Sequence, residues 1–302
     1  ALGIAEGDEV IMPSHTIISC AAAITKVGAL PVLIDSDKTW NMNVDLIEGM
    51  ITSKTKAILA VHTYGFPVDM DKVLELANKY NLFVIEDAAE MIGQKYKDRE
   101  CGSMGDISIF SFYPNKHITT GEGGACLTNS KELAEKCNYY KNLCFENPRF
   151  VHKDIGWNYR FSNIQAAIGL AQMERLDFHV AKKRKIGYLY NELIRNNDSL
   201  ILQPTKLEYA ENIWWVFGIL LTKNTKKNAS QVMEILSKKN IGTRPFFFPI
   251  HKQPVYKGIK SFQNISHPVS ENLAENGFYI PSGLALTDDD ISQVSEEINS
   301  IF

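Results

Sequence analysis

Residues 106–125, DISIFSFYPNKHITTGEGGA, combine a strand pattern with the residues that a ligand site needs. From 107 to 112 the side chains are mostly apolar or aromatic on both faces, which predicts a strand buried on both sides of a sheet. A proline and an asparagine end that strand, and Lys116 follows them. Ligands of α/β sheets bind beyond the carboxyl ends of strands, so this lysine is a candidate nucleophile. The alternative is a surface lysine in a loop.

Residues 111–124 of this stretch resemble the cofactor-lysine segment of the DegT/DnrJ/EryC1/StrS family of sugar aminotransferases. Members of that family are fold-type-I enzymes that use pyridoxal 5'-phosphate (PLP). The match is continuous, which makes it more specific than a short glycine pattern. By this resemblance Lys116 forms the Schiff base with PLP, and Ser111 contacts its phosphate. One branch of the family has histidine in place of the lysine and dehydrates its substrate, so Lys116 argues against that reaction.

Length and composition restrict the class of protein. The chain has 302 residues, 45% of them hydrophobic, which is enough for a large core. Its formal net charge of −3 gives no electrostatic case for binding nucleic acid or an anionic membrane. No apolar run approaches the ~18 residues of a membrane span, and the first residues lack a signal-peptide pattern. Five cysteines without C-x-x-C spacing favour reduced thiols over disulfides or a metal site. We expect a cytoplasmic protein.

Strand and helix patterns alternate through the first half of the chain. Apolar runs typical of buried strands recur at 8–12, 31–35, 57–61 and 82–85, and segments of helical periodicity separate them. This alternation predicts an α/β fold with a mainly parallel sheet and helices on both faces. It agrees with the fold type I that the resemblance implies.

A smaller α+β domain is predicted after about residue 197, where a strand pattern at 214–221 precedes a helix pattern at 228–239. We therefore expect a PLP-binding large domain over 1–178, and a linking helix with the smaller domain over 179–302. The first ten residues resemble family sequence that follows a phosphate-binding Gly-Thr loop, so we expect an N-terminally truncated sequence. The family's ring-stacking aromatic would be replaced by Ile17 or by His15.

Asp87 and Glu90 follow the apolar run that ends near residue 85. A carboxylate at a strand end can hold the pyridine nitrogen of PLP in its protonated form, and a helix N-cap is the local alternative for Asp87. The segment 86–90, EDAAE, resembles the family segment that assigns Asp87 to this nitrogen. Most members have glutamine at position 90, next to the phenolic oxygen of the cofactor. A glutamate there predicts a proton shared with that oxygen.

A long helix is predicted from Asn163 to about residue 194, with a break near Asp177 and a capping box formed by Ser162 and Gln165. Its basic run, residues 182–185, is interpreted as a solvated face rather than a nucleic-acid surface.

The segment before that helix contains Asn158 and Arg160, and it resembles the family segment that reaches into the site of the neighbouring subunit. The resemblance implies a homodimer with shared active sites, in which these residues hold the partner's cofactor phosphate. A guanidinium group suits phosphate, and an intrachain structural arginine is the alternative.

Four further residues are candidate substrate contacts: His62, Arg244, Phe246 and His251. His62 follows a predicted strand, where a packed, hydrogen-bonded histidine is the alternative. Residues 243–254, TRPFFFPIHKQP, resemble the substrate-side segment of the perosamine-forming branch of the family. Three consecutive phenylalanines are unfavourable to expose, so core packing is the default alternative for them.

Together the resemblances imply a PLP-dependent aminotransferase that moves an amino group from glutamate to C4 of a nucleotide-linked 4-keto-6-deoxy sugar, with GDP-perosamine synthesis as the preferred interpretation. One alternative is another nucleotide keto sugar, such as dTDP-4-keto-6-deoxyglucose. Another is a non-catalytic PLP-binding regulator, which would require a DNA-reading module or a basic face that the sequence does not indicate.

Overall fold

A six-stranded sheet is the centre of the first half of the chain in the computed structural model, which describes residues 1–302. The strands of this half are β1 (Glu9–Pro13), β2 (Leu30–Ile34), β3 (Thr55–Val61), β4 (Phe83–Asp87), β5 (Lys95–Tyr96), β6 (Arg99–Glu100), β7 (Ile107–Ser111) and β8 (Gly124–Leu127). The sheet has the order β2-β1-β3-β4-β7-β8; its first five strands are parallel, and β8 is antiparallel to β7. The prediction of a mainly parallel sheet is confirmed.

The helices are α1 (Ile18–Lys26), α2 (Ile47–Met50), α3 (Met70–Tyr80), α4 (Lys131–Lys141), α5 (Asn163–Met173), α6 (Leu176–Ile194), α7 (Ala229–Lys238), α8 (Pro268–Asn276) and α9 (Asp288–Asn299). Short 3₁₀ turns lie at Val44–Leu46, Ile250–Lys252, Pro254–Tyr256 and Lys260–Phe262. None of the helices has the length and apolar character needed to cross a membrane.

Helices cover both faces of the six-stranded sheet. Successive residues of a strand point to opposite faces, so one strand contacts helices on both sides. Ile58 of β3 packs in one buried cluster together with Val73 of α3. Its neighbour Leu59 packs in the opposite cluster together with Ile24 of α1. The two-sided arrangement agrees with the α/β prediction and leaves the strand ends as the open edge.

The predicted long helix is divided into α5 and α6, with the break between Met173 and Leu176, close to the predicted position. Ser162 and Gln165 form the predicted capping box at the start of α5. That box satisfies backbone groups that a helix terminus leaves without partners.

A four-stranded antiparallel sheet forms in the second half, in the order β13-β14-β12-β9. The strands of this half are β9 (Leu200–Leu202), β10 (Lys206–Leu207), β11 (Ala210–Glu211), β12 (Phe217–Leu221), β13 (Arg244–Pro245) and β14 (Gly277–Ile280). Strand β12 begins three residues later than expected, because Trp214 has a positive φ of 46° that interrupts extended backbone.

The second sheet has its own buried cluster, which includes Ile219 of β12, Val232 of α7 and Ile291 of α9. Tyr256, from the 3₁₀ turns, instead packs in the α1-side cluster of the first sheet. The segment between β13 and α8 therefore joins the two halves. The division of the chain at residue 178 stays a prediction, and α6 extends across it.

Candidate active site

Lys116 lies beyond the carboxyl edge of the first sheet, beside Glu90 and on the same edge as Asp87. Strands β4 and β7 are parallel neighbours, with Asp87 paired with Ile109, so their carboxyl ends open at the same edge. Lys116 Nζ is 3.6 Å from Glu90 Oε1, and their side chains are 10% and 9% exposed. The structure thus brings together three of the predicted site residues, from two separate stretches of sequence.

Trp215 provides the other surface against the amine. Its ring centroid is 3.8 Å from Lys116 Nζ, a distance at which the ring face attracts an ammonium group. Its indole N–H donates to the carbonyl oxygen of Asn115 at 2.8 Å. The lysine is therefore held between a carboxylate and an aromatic ring. Sequence reasoning did not identify Trp215, and its place just before β12 is the one weak signal.

Asp87 is buried, and both of its oxygens have donors. Oδ1 accepts the backbone N–H of Ala89 at 3.0 Å, and Oδ2 accepts the thiol of Cys20, with Sγ 3.3 Å away. Burial raises the pKa of Cys20, and the charge of Asp87 raises it further, so the thiol stays protonated as a donor. A turn rather than a helix follows Asp87, which removes the N-cap alternative. The contact between Cys20 and Asp87 was also not predicted from the sequence.

Glu90 is the acidic group that titrates near neutral pH. Its Oε2 accepts the backbone N–H of Tyr64 at 2.7 Å. Burial raises the pKa of Glu90 to about 7; the positive charge of Lys116 and the Tyr64 bond oppose this rise, and the charge of Asp87 adds to it. A carboxyl group with this pKa both accepts and releases a proton at neutral pH.

The two candidates for ring stacking differ in exposure. His15 is buried among aromatic rings, with centroids 5.8 Å from Tyr64 and 6.0 Å from Phe247, and burial lowers its pKa to about 3. Ile17 is exposed at the start of α1. The structure leaves Ile17 accessible and encloses His15, and the identity of the stacking residue stays a prediction.

The candidate phosphate residues lie in two places. Ser111 ends β7, and its hydroxyl accepts the N–H of Tyr113 at 3.2 Å, which leaves its own hydrogen for another acceptor. Arg160 is exposed and donates to Asn158 at 2.7 Å and to Asn142 at 3.0 Å. Arg160 lines a cavity of about 1220 Å³ beside β8, not the one at Lys116. Within one chain, the structure does not bring Asn158 or Arg160 to the lysine.

A cavity of about 710 Å³ adjoins the lysine, and Arg244 and Tyr279 line it together with Trp215 and Lys116. Arg244 is the one candidate substrate residue that the structure places in this cavity. Its guanidinium is exposed there, on the short strand β13.

Phe246 and His251 are predicted substrate contacts that the structure places in its packed interior and not in the lining of the cavity beside Lys116. Phe246 is 4% exposed and packs against Tyr64 with ring centroids 4.5 Å apart, as the core-packing alternative stated. His251 is bonded on both ring nitrogens, to Ser14 at 2.7 Å and to Glu271 at 3.1 Å. A substrate could reach His251 only by displacing these bonds, and Phe246 only by separating it from the packed rings.

His62 is a packed, hydrogen-bonded histidine, as the sequence alternative stated, and it does not line this cavity either. Its Nδ1 accepts the N–H of Val68 at 3.1 Å, so Nε2 carries the hydrogen and donates to Glu86 at 3.0 Å. Although burial raises the pKa of Glu86, the bonds from His62 and from the backbone N–H groups of Gly102 and Met104 lower it to about 2. This network supports the loop before β7 rather than the cavity.

The groups at the sheet edge fit a cofactor with an aldehyde, a basic ring nitrogen and a phosphate. Lys116 provides an amine for the aldehyde, Asp87 a buried carboxylate for the nitrogen, and Ser111 a hydroxyl for the phosphate. PLP has these three groups.

A mainly parallel sheet, with Asp87 at the carboxyl end of β4 and Lys116 beyond that of β7, is the arrangement of fold-type-I PLP-dependent enzymes. The model of the DegT/DnrJ/EryC1/StrS aminotransferase family matches residues 1–299. The chain belongs to this family, which confirms the resemblance found in the sequence.

Three relatives illustrate the range of this similarity. The GDP-perosamine synthase of Escherichia coli O157:H7 is 43% identical over 304 residues, covering 100% of this chain and 81% of that protein. The dTDP-3-amino-3,6-dideoxy-alpha-D-galactopyranose transaminase of Aneurinibacillus thermoaerophilus is 36% identical over 302 residues, covering 99% and 80%. The crystal structure of S. venezuelae DesV in complex with a ketimine intermediate has a TM-score of 0.91 at 30% identity, covering 99% of this chain and 80% of that one.

Proposed function

We propose that the protein is a PLP-dependent aminotransferase that transfers the amino group of glutamate to C4 of GDP-4-keto-6-deoxymannose. The observation that carries the aminotransferase part is the buried group of Lys116, Glu90 and Asp87 at the sheet edge, next to an open cavity. The 43% identity to a GDP-perosamine synthase over the whole chain supports the choice of sugar.

Each residue of this group has a separate role. PLP, when bound, supplies an electron sink that allows the Cα–H bond of the amino donor to break. Asp87 would pair with its ring nitrogen and keep that nitrogen protonated. Lys116 would hold the cofactor through its amine and would carry a proton to and from the donor Cα as general base and acid. Glu90, whose pKa is about 7, would share a proton with the phenolic oxygen.

The cavity beside Lys116 suits a sugar that carries a diphosphate. Arg244 provides a guanidinium, which forms paired hydrogen bonds to phosphate oxygens, and Trp215 provides apolar contact for a sugar ring. Phe246 does not line this cavity and supplies no such contact there.

We also propose a homodimer in which Asn158 and Arg160 bind the cofactor phosphate of the partner. Helices α4 and α5 have no buried residues, and Ile164 and Leu170 of α5 are 76% and 65% exposed. A second copy of the chain would cover this face and bring its own Lys116 cavity toward Arg160.

A comparison of two sugars tests the substrate. With PLP and glutamate present, we expect kcat/KM for GDP-4-keto-6-deoxymannose to exceed that for dTDP-4-keto-6-deoxyglucose by about 100-fold or more, because hydroxyls of the wrong configuration leave buried polar groups unpaired. Preference for the thymidine-linked sugar would contradict the sugar assignment alone; a dTDP-linked sugar is the second candidate because the 36% relative is named for one, although for a 3-amino sugar. If glutamate leaves the absorbance of the bound cofactor unchanged, the protein is a non-catalytic binder.

A further inference from the structure

Lys183 is a buried lysine in α6 that the proposed reaction does not use. It is 7% exposed, although it belongs to the basic run interpreted from the sequence as a solvated face. Lys185 of the same run is exposed and paired with Asp288, as expected for such a face. The interpretation is therefore wrong for Lys183, whose position requires a different explanation.

The amine of Lys183 is bonded to three oxygens and to no carboxylate. Nζ donates to the carbonyl oxygens of Trp215 and Ser282, each at 2.7 Å, and to the hydroxyl of Ser282 at 3.2 Å. Burial lowers the pKa of Lys183 to about 7. Placing a charged amine here therefore has a desolvation cost, which these hydrogen bonds offset. An ammonium group is the one side-chain terminus that offers three donors from a single atom.

These bonds connect Lys183 to the reactive amine through one residue. The carbonyl oxygen of Trp215 accepts a hydrogen bond from Lys183. The indole N–H of Trp215 donates to the carbonyl oxygen of Asn115, the residue before Lys116. The ring between these two ends lies 3.8 Å from Lys116 Nζ. Trp215 is thus fixed at both ends, and its face sets one side of the space that the amine occupies.

We propose that Lys183 is a positioning residue that fixes Trp215 and thereby orients the amine of Lys116. This inference rests on the proposed role of Lys116. Without Lys183, two buried carbonyl oxygens lose their donor, and the Trp215 segment has to shift toward water or another partner to recover the bonds. The ring then no longer confines the lysine amine to one place.

The first test measures Lys116 in the cofactor-free protein, independently of turnover. An amine-reactive acylating reagent is applied briefly, and labelling at Lys116 is quantified by peptide mass spectrometry. We expect Lys183→Met to raise labelling of Lys116 several-fold, because the amine is less confined, and to leave labelling of the exposed Lys131 unchanged. Lys182→Met, the adjacent residue of the same run, is the matched control and should behave as wild type.

A double-mutant cycle separates positioning from general loosening. Trp215→Phe removes the indole N–H and weakens the ring contact, so it should also raise labelling of Lys116. Each single variant raises the labelling of Lys116 by some factor over wild type. If Lys183 acts through Trp215, the factor for the double variant Lys183→Met, Trp215→Phe is smaller than the product of the two single factors. Multiplicative effects, or wild-type labelling in Lys183→Met, would overturn the proposal. Should the methionine variant not fold, Lys183→Gln, which keeps two donors, replaces it with a smaller expected effect in the same direction.

Turnover provides the second readout. In the PLP-loaded protein, Lys183→Met should lower kcat by about tenfold with little change in KM for glutamate, because an orienting contact acts on the chemical step. A change confined to KM would contradict a positioning role. If no variant and no wild-type protein transfers amino groups, the proposed function fails while the labelling result still decides the role of Lys183.

Discussion

The sheet edge around Lys116 and the segment before α5 that contains Asn158 and Arg160, called the arm below, differ in how they hold charged groups. Lys116 is nearly enclosed and lies against a carboxylate and an aromatic ring that come from other parts of the same chain. Arg160 is exposed and bonded only to two neutral amides, Asn142 and Asn158. A charge buried in the fold has to find its partners there, whereas an exposed guanidinium keeps its full charge for an external anion.

This difference indicates which part of the site one chain completes. The sheet edge holds its amine and its carboxylates in place without help from another molecule. The arm has donors in position, but no acceptor of opposite charge among its hydrogen-bond partners. We therefore expect changes at the edge to act within one subunit and changes at the arm to act on the neighbour.

The largest expected effect comes from Lys116→Ala, which removes the proposed anchor and the proton-transferring group together. Amino transfer from glutamate should fall by about 10⁴-fold or more, because one side chain carries both roles. The fold should persist, since the neighbouring Glu90 becomes neutral by binding a proton, as its pKa of about 7 allows. Lys131→Ala, at an exposed lysine of α4, is the control and should retain activity. Ordinary turnover by the Lys116 variant would remove this residue from the mechanism.

Mixing two inactive variants tests the second half of the comparison. If Arg160 serves the neighbouring site, a hybrid of Lys116→Ala and Arg160→Ala subunits has one site with both defects and one with neither. Random exchange at equal amounts should restore about a quarter of wild-type activity, because half of the dimers are hybrids with one intact site.

Subunit exchange in this mixture is verified with differently tagged chains, and each parent is assayed alone. Exchange without any recovery would show that each site is complete within one chain. It would leave the sheet-edge assignment intact and assign Arg160 to a structural role.

The sequence predicted the sheet edge well because its signals are local. The strand before Lys116 is mostly apolar, the strand that ends at Asp87 begins with an apolar run, and parallel strands place their carboxyl ends on one side. The contacts of those residues were not predictable in the same way. Trp215 lies about a hundred residues after Lys116, and nothing in the spacing of either indicates that they meet.

Side-chain direction explains why two of the predicted substrate residues lie away from the cavity beside Lys116. His62 follows a strand end, as a ligand contact would, but its ring turns inward to Glu86. Phe246 belongs to a segment that resembles a substrate-side motif, and it packs in the core between Trp40 and Tyr64. In both cases the position of the residue along the chain indicated a part of the fold near the ligand site. The direction of the side chain, however, depended on partners that are distant in sequence.

The smallest expected effect concerns Glu90, and it is a pH dependence of stability. In the unfolded chain a glutamate has a pKa of 4.5, and in the folded protein burial raises it to about 7. Below pH 4.5 both states hold the proton. Between these values the unfolded state releases it and the folded state keeps it, so the free energy of unfolding falls as pH rises to about 7 and is then constant. At about 1.4 kcal/mol per pKa unit, the loss is about 3 kcal/mol.

Glu90→Gln should remove this part of the pH dependence, because an amide does not titrate and its oxygen can still accept the N–H of Tyr64. Urea unfolding of cofactor-free wild type and variant at pH 5 and pH 8 measures it; other titrating groups are shared and cancel in the difference. Arg160→Ala alters only the exposed arm, so it should keep the wild-type difference between the two pH values. An equal pH dependence in Glu90→Gln and wild type would mean that Glu90 is already ionised in the folded protein. The sheet edge would then carry a full negative charge beside Lys116, and the contrast with the arm would rest on geometry alone.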